Sequence, residues 1–181
     1  GAIKRYLTRT DSLKILGSIE EVNSGRSFKT EMIPVNAAEI KAVGKMHGWL
    51  FNWKQEFKEP GHQIYKLVLE GGFEIQGLIS LEPIIDQLYL EMHLIENAPH
   101  NYANCKRFRG VAGNMVAFAC KMSFELGYGG FVAFTAKTVL INHYVETLGA
   151  KVIYKHNRMG IFTREAKNLV YLYYKISDVD R

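Results

Sequence analysis

Apolar residues recur along the chain with periods of 2 and of about 3.6, and the switching between the two lays out a mixed order of helices and strands. Between Ile40 and Phe57, residues Val43, Met46, Leu50 and Trp53 stand three and four apart, which predicts one helix that Pro60-Gly61 ends. Ile64 to Leu69 and Phe73 to Leu81 read as strands turned at Gly71-Gly72. Gln87 to Ile95 is a third strand, in which Leu88, Leu90, Met92 and Leu94 alternate with Tyr89, Glu91, His93 and Ile95. One of its faces is apolar; the other carries ionisable groups.

A polar stretch from Asn97 to Lys106 follows. Helical spacing then returns from Gly113 to Leu126, with Met115, Phe118, Ala119, Met122 and Leu126 on one face and Gly127 as the stop. Phe131 to Thr135 is short and nearly all apolar, as a strand buried on both faces would be. Thr138 to Leu148 reads as a helix whose stripe is Leu140, Ile141, Tyr144, Val145 and Leu148, stopped by Gly149. Lys151 to Lys155 and Arg158 to Phe162 read as a strand pair, and Thr163 is placed to cap a last helix with Leu169, Leu172, Tyr173 and Ile176 inward. The order predicts a mixed α/β domain in which an antiparallel meander feeds a β-α-β crossover. No repeat or linker divides it, so residues 1–181 read as one domain: an extension over 1–27, a core over 28–162 and a C-terminal helix over 163–181.

With 48% hydrophobic and 23% charged residues, the composition is that of a globular domain and excludes a disordered or low-complexity chain. Two cysteines, Cys105 and Cys120, without a CxxC argue against a zinc ribbon or a disulfide scaffold, and a reducing cytoplasm is the expected setting. No apolar run approaches the ~18 residues of a membrane span, and the first residues lack the apolar core of a signal peptide. The net charge of +5 is mild, but residues 100–158 alone carry +6. That clustering fits either an anionic ligand held there or a solvated basic face.

The basic stretch contains Arg107-Phe108-Arg109-Gly110-Val111-Ala112-Gly113-Asn114 immediately before a predicted helix. Gly110 and Gly113 allow close backbone approach, the free N–H groups of a first helical turn favour phosphate, and the two arginines add full charges. A P-loop is excluded because GxxxxGK[ST] is absent. A dinucleotide fingerprint is excluded because Ala112 stands where its second Gly would be and the loop after the strand is long.

Arg107-x-x-Gly110-x-Ala112, after a strand and before a helix, resembles the [Gln/Arg]-x-x-Gly-x-[Gly/Ala] signature of the GCN5-related N-acetyltransferase (GNAT) superfamily. The order of elements from about Phe28 to Phe162 is similar as well. The resemblance implies a GNAT-like α/β fold: a mostly antiparallel mixed sheet with one splayed parallel pair and helices on both faces. It implies acetyl-CoA as co-substrate, with pantetheine on the backbone of Ile95, Glu96 and Asn97. The pyrophosphate would fall on the amides of Arg107, Phe108, Arg109, Gly110, Val111, Ala112, Gly113 and Asn114. Lys137 stands near the place of a frequent family Asn and is a candidate cofactor contact or a solvated side chain.

The same resemblance implies direct attack of an amine on the thioester, without an acyl-enzyme. Glu91 is then the candidate base, the alternative being an ordinary paired strand glutamate, with Glu96 and His93 in reserve. Tyr144 is the candidate acid, although it lies one residue before the family position, held here by Val145, and falls on the apolar stripe. Trp49, Phe51, Trp53 and Phe57 are core residues, with one or two free to wall an acceptor pocket. Cys105 has no motif-placed activator, and His47, His62, His93, His100, His143 and His156 show no HxxxH or HxH spacing, so no metal is expected. His100, Asn101, Tyr102 and Asn104 make the loop before the signature either a lid or a plain insertion. The expected partners are acetyl-CoA and a small-molecule or protein amine, with no nucleic acid and no membrane and with a homodimer left open. The alternative is a non-catalytic acyl-CoA-binding module on the same fold.

Overall fold

The computed structural model describes residues 18–102, 106–136, 141–155 and 157–174. Two strands open it, β1 (Ser18–Glu21) and β2 (Ser27–Pro34), followed by helix α1 (Ala37–Ile40), a 3-10 turn at Lys45–His47 and helix α2 (Trp53–Lys58). The meander is β3 (Gln63–Leu69), β4 (Gly77–Ile84) and β5 (Tyr89–Asn97). Then come β6 (Phe108–Arg109), α3 (Val111–Glu125), β7 (Val132–Thr135), α4 (Ile141–Leu148), β8 (Lys151–Tyr154), β9 (Arg158–Ile161) and α5 (Thr163–Tyr174). Among the described residues, nine strands form one sheet in the order β6-β1-β2-β3-β4-β5-β7-β9-β8. Of these neighbouring pairs, β5 and β7 run parallel and the others antiparallel.

The meander, the crossover and the final strand pair appear where the periodicity places them, with ends shifted by a few residues. The predicted 40–57 helix does not form as one piece. Asn36 and Glu39 close a capping box on α1, Gly48 turns through φ 89°, and Asn52 accepts from the Gln55 N–H to start α2. These local stops outweigh the spacing of apolar residues, and they turn Met46 (95% exposed) and Leu50 (67% exposed) to the outside. The extension expected over 1–27 contributes β1, which pairs with both β2 and β6; residues 1–17 lie outside those described.

The third strand departs from strict alternation. Leu81 pairs with Met92 and Ser80 with Leu94, so His93 is an extra residue, a β-bulge. The bulge exchanges the two faces. Leu90 and Met92 pack into the core shared with α3 and α5, and after the bulge Ile95 takes that side. Leu94 packs instead with Trp49, Trp53 and Leu78 in a second cluster beneath α1 and α2. Helix α3 begins at Val111, two residues before the expected start, with Gly110 as N-cap at φ 85°.

Candidate active site

The parallel pair β5–β7 is in register at two positions, Leu90 opposite Val132 and Glu91 opposite Ala133. Past Glu91 the strands part. Strand β5 stays on β4 as far as Asn97, while β7 continues on β9 to Thr135. A cavity of about 630 Å³ occupies the gap, walled by Met92 to Asn97 on one side and Phe134 to Ala136 on the other. That volume suits a ligand of drug or cofactor size.

Gly110 to Gly113, at the start of α3, form one end of the cavity. The N–H groups of Val111, Ala112 and Gly113 belong to the first turn, where no helical carbonyl precedes them, and the helix dipole adds partial positive charge. Asn114 faces away: its amide donates to the Ser18 carbonyl (3.3 Å) and to Thr30 Oγ1 (3.0 Å), pinning the helix start to β1 and β2. At Gly113 the Tyr173 hydroxyl of α5 lies where a Cβ would stand. Leu169, Leu172 and Tyr173 thus bring α5 into the cavity wall, a role that its apolar stripe does not distinguish from ordinary core packing.

The structure brings Ile95, Glu96, Asn97, Phe108, Gly110, Val111, Ala112, Gly113, His93 and Tyr144 to this one cavity. Arg107 and Arg109 are not part of its wall. Arg107 reaches both carboxylate oxygens of Glu74 (3.1 Å each) and lies over the Phe108 ring, while Arg109 sits on β6 opposite Glu20. Among the described residues, Lys106 is the lysine that lines the cavity. Lys137 and Cys105 lie outside the described residues, and Cys120 is buried, its thiol pushed well above the ordinary value by that burial.

Of the two carboxylates read as bases, Glu91 is gripped by the guanidinium of Arg158, with Nη1 2.7 Å from Oε1 and Nη2 on Oε2. The hydrogen bond to Glu91 raises the Arg158 pKa further. Glu91 is absent from the cavity wall. Glu96 is on it and is 4% exposed. Its oxygens accept from Leu50 N (2.7 Å), Phe51 N (3.1 Å), Trp53 Nε1 (2.8 Å) and Tyr102 Oη (2.5 Å). Burial, with the neighbouring Glu96 carboxylate, pushes the Tyr102 phenol well above its ordinary value. Phe51 is the first-helix aromatic that reaches the cavity, whereas Trp49 and Trp53 are core.

Tyr144 lines the cavity and meets Phe134 edge-on at 5.2 Å between ring centroids. Its burial raises the phenol pKa, keeping the group protonated. Asn97 also lines the cavity, and its side-chain Oδ1 is buried without a hydrogen-bond partner. His93 stands on the bulge with Nε2 2.9 Å from Glu82 Oε1, and its ring stacks on that of His62. Sequence spacing gives no hint of this His62–Glu82–His93 group, because its members lie on three separate elements.

No protein-family model matches the sequence, and no curated protein matches it either. Solved structures do share its fold. A chimeric spermidine N-acetyltransferase SpeG from Vibrio cholerae aligns with TM-score 0.55 at 13% identity, over 77% of this chain and 98% of that one. The dodecameric spermidine N-acetyltransferase from Vibrio cholerae aligns with TM-score 0.52 at 12% identity, over 75% and 95% of the two chains. At such identities the likeness is one of fold.

Proposed function

This chain has the fold of the GCN5-related N-acetyltransferases, and from that premise we propose that it transfers an acetyl group from acetyl-CoA to an amine. The observation that carries the reading is the parting of β5 and β7 beyond Glu91, which opens a cavity whose far end is the start of α3.

The residues present fit the cofactor. The first-turn amides of Val111, Ala112 and Gly113 are donors for pyrophosphate, and Lys106 adds a full positive charge. On the freed edge of β5, alternate backbone groups of Met92 to Asn97 face the gap, and the unpartnered Oδ1 of Asn97 offers an acceptor to a pantetheine amide. When bound, acetyl-CoA supplies the thioester carbon.

The amine lone pair attacks that carbon, a C–N bond forms, and the C–S bond breaks with its electron pair on sulfur; the excess proton on nitrogen passes to solvent, from which the acid that protonates the thiolate is afterwards restored. A backbone N–H of the freed β5 edge stabilises the oxyanion in between. Tyr144 donates its phenolic proton to the leaving thiolate, a role its burial favours by keeping the phenol protonated. Leu50 and Phe51 form the acceptor mouth, where contact with apolar side chains favours the neutral, nucleophilic amine over the ammonium form. Glu96 acts by position, its four hydrogen bonds holding that mouth against the end of β5.

Isothermal titration with acetyl-CoA, followed by thiol release across a panel of amines, tests the proposal. Binding with turnover supports transfer. Binding without turnover on any amine moves the reading to a non-catalytic acyl-CoA-binding module, and absence of binding overturns both.

A further inference from the structure

Three side chains of metal-ligating type meet on the face of the sheet beneath α2. His62 leads into β3, Glu82 lies on β4, and His93 is the bulge residue of β5. His93 Nε2 is 2.9 Å and His62 Nε2 3.7 Å from the same oxygen, Glu82 Oε1. One ligand atom from each residue lies within 4.8 Å of the others. Two ligands bound at ~2.0–2.1 Å to one tetrahedral ion stand roughly 3.3 Å apart, and the two observed separations bracket that value.

The surroundings prepare one histidine as a ligand. His62 Nδ1 lies 2.6 Å from Glu56 Oε1, and Ser80 Oγ donates to that same oxygen at 2.7 Å. An ionised carboxylate only accepts, so in the neutral ring Nδ1 carries the hydrogen and the lone pair is left on Nε2, the nitrogen that faces Glu82. A carboxylate behind the far nitrogen of a histidine is what orients metal-bound imidazoles. Gly61, at φ 81°, gives the room: a Cβ there would stand 2.7 Å from Glu82 Oε2.

We propose that His62, Glu82 and His93 bind a divalent transition-metal ion of the Zn²⁺ class, with Glu56 as the positioning residue behind His62. Two imidazole nitrogens and one carboxylate oxygen suit such an ion, whereas Mg²⁺ and Ca²⁺ take mainly oxygen ligands. The ion also neutralises the negative charge that Glu56 and Glu82 bring to one spot. The rings now stack 3.7 Å apart at an interplanar angle of 13°, and they fan apart about their side-chain torsions to aim both Nε2 lone pairs at one ion. His93 also lines the cavity, so the ion sits beside it, in a site that stands whether or not the chain transfers acetyl groups.

The test is a Co²⁺ titration of the full chain without acetyl-CoA, followed by visible absorption. The expected result is one equivalent of Co²⁺ giving the strong band of four- or five-coordination, lost on adding one equivalent of Zn²⁺ and unchanged by millimolar Mg²⁺. His62→Ala and His93→Ala each abolish the band. Glu56→Gln keeps it but weakens affinity about 10–100-fold, as loss of an outer-shell partner does. Circular dichroism confirms that each variant folds; should the alanine variants fail, His62→Gln and His93→Gln carry the same readout. No band, displacement by Mg²⁺, or a band that survives removal of both histidines overturns the proposal.

Discussion

The indole N–H of Trp53 donates to Glu96 Oε1 at 2.8 Å, joining the first residue of α2 to the far end of β5. The same carboxylate takes the backbone N–H groups of Leu50 and Phe51, so one buried side chain ties the loop before α2 to the strand that bounds the cavity. A carboxylate has lone pairs for all four of its donors; an alanine has none.

Glu96→Ala therefore leaves four donors without their acceptor, two of them backbone groups. The expected loss of stability is about 3 kcal/mol, within the range for unsatisfied buried donors once water reaches some of them. Urea denaturation measures it. A loss below about 1 kcal/mol would show that the loop holds its position without this residue.

Tyr144→Phe removes the proposed acid and keeps the packing on Phe134. With a turned-over amine in hand, kcat falls by about 10²-fold while acetyl-CoA affinity stays within a factor of two, the drop being typical of a lost acid or base. Burial raises the phenol pKa above its ordinary value near 10, so the wild-type acid is lost only as pH rises beyond that. The alkaline limb of kcat below pH 10 is thus the same in wild type and variant. Steady-state kinetics from pH 6 to 10 checks both statements.

Gly130 sits at φ 76° between α3 and α5, and a Cβ there would run into the Phe124 ring and stand 2.9 Å from the Ala166 Cβ. Gly130→Ala adds left-handed strain to overpacking and destabilises by about 3 kcal/mol. Thermal unfolding reads the loss. Because α5 walls the cavity, acetyl-CoA affinity falls with it in a titration calorimeter.

His100 Nε2 lies 2.8 Å from Gln76 Oε1. Burial holds its pKa below the ordinary histidine value; Glu74 opposes that shift and Arg107 adds to it. A folded pKa below the unfolded one means that the unfolded chain binds the extra proton, so His100 makes the protein less stable as pH falls through about 6.5. His100→Gln removes this dependence. Urea midpoints at pH 7.5 and 5.5 should lie closer together in the variant than in the wild type.

Much of the fold is legible in the residues because it rests on local rules. The period-2 run from Leu88 to Leu94 marks β5, the 3.6 spacing from Met115 to Met122 marks α3, and Arg107-x-x-Gly110-x-Ala112 marks where that helix starts. The same spacing rule fails at Met46 and Leu50, where Asn36, Gly48 and Asn52 impose shorter pieces and the apolar residues turn outward. Ion pairing is equally invisible to it. Arg107 and Arg158 belong to the basic stretch, yet they go to Glu74 and Glu91, which lie on distant segments and reach them only once the sheet has assembled.

By itself the sequence determined the order of the meander, the crossover and the final strand pair and helix, the glycine-led helix start and the concentration of positive charge around it, since each follows from neighbours along the chain. Tertiary structure alone decided the bulge at His93, the four donors on Glu96 and the meeting of His62, Glu82 and His93. These depend on register between strands, and register is set by which faces find a partner to bury against, a property of the assembled sheet.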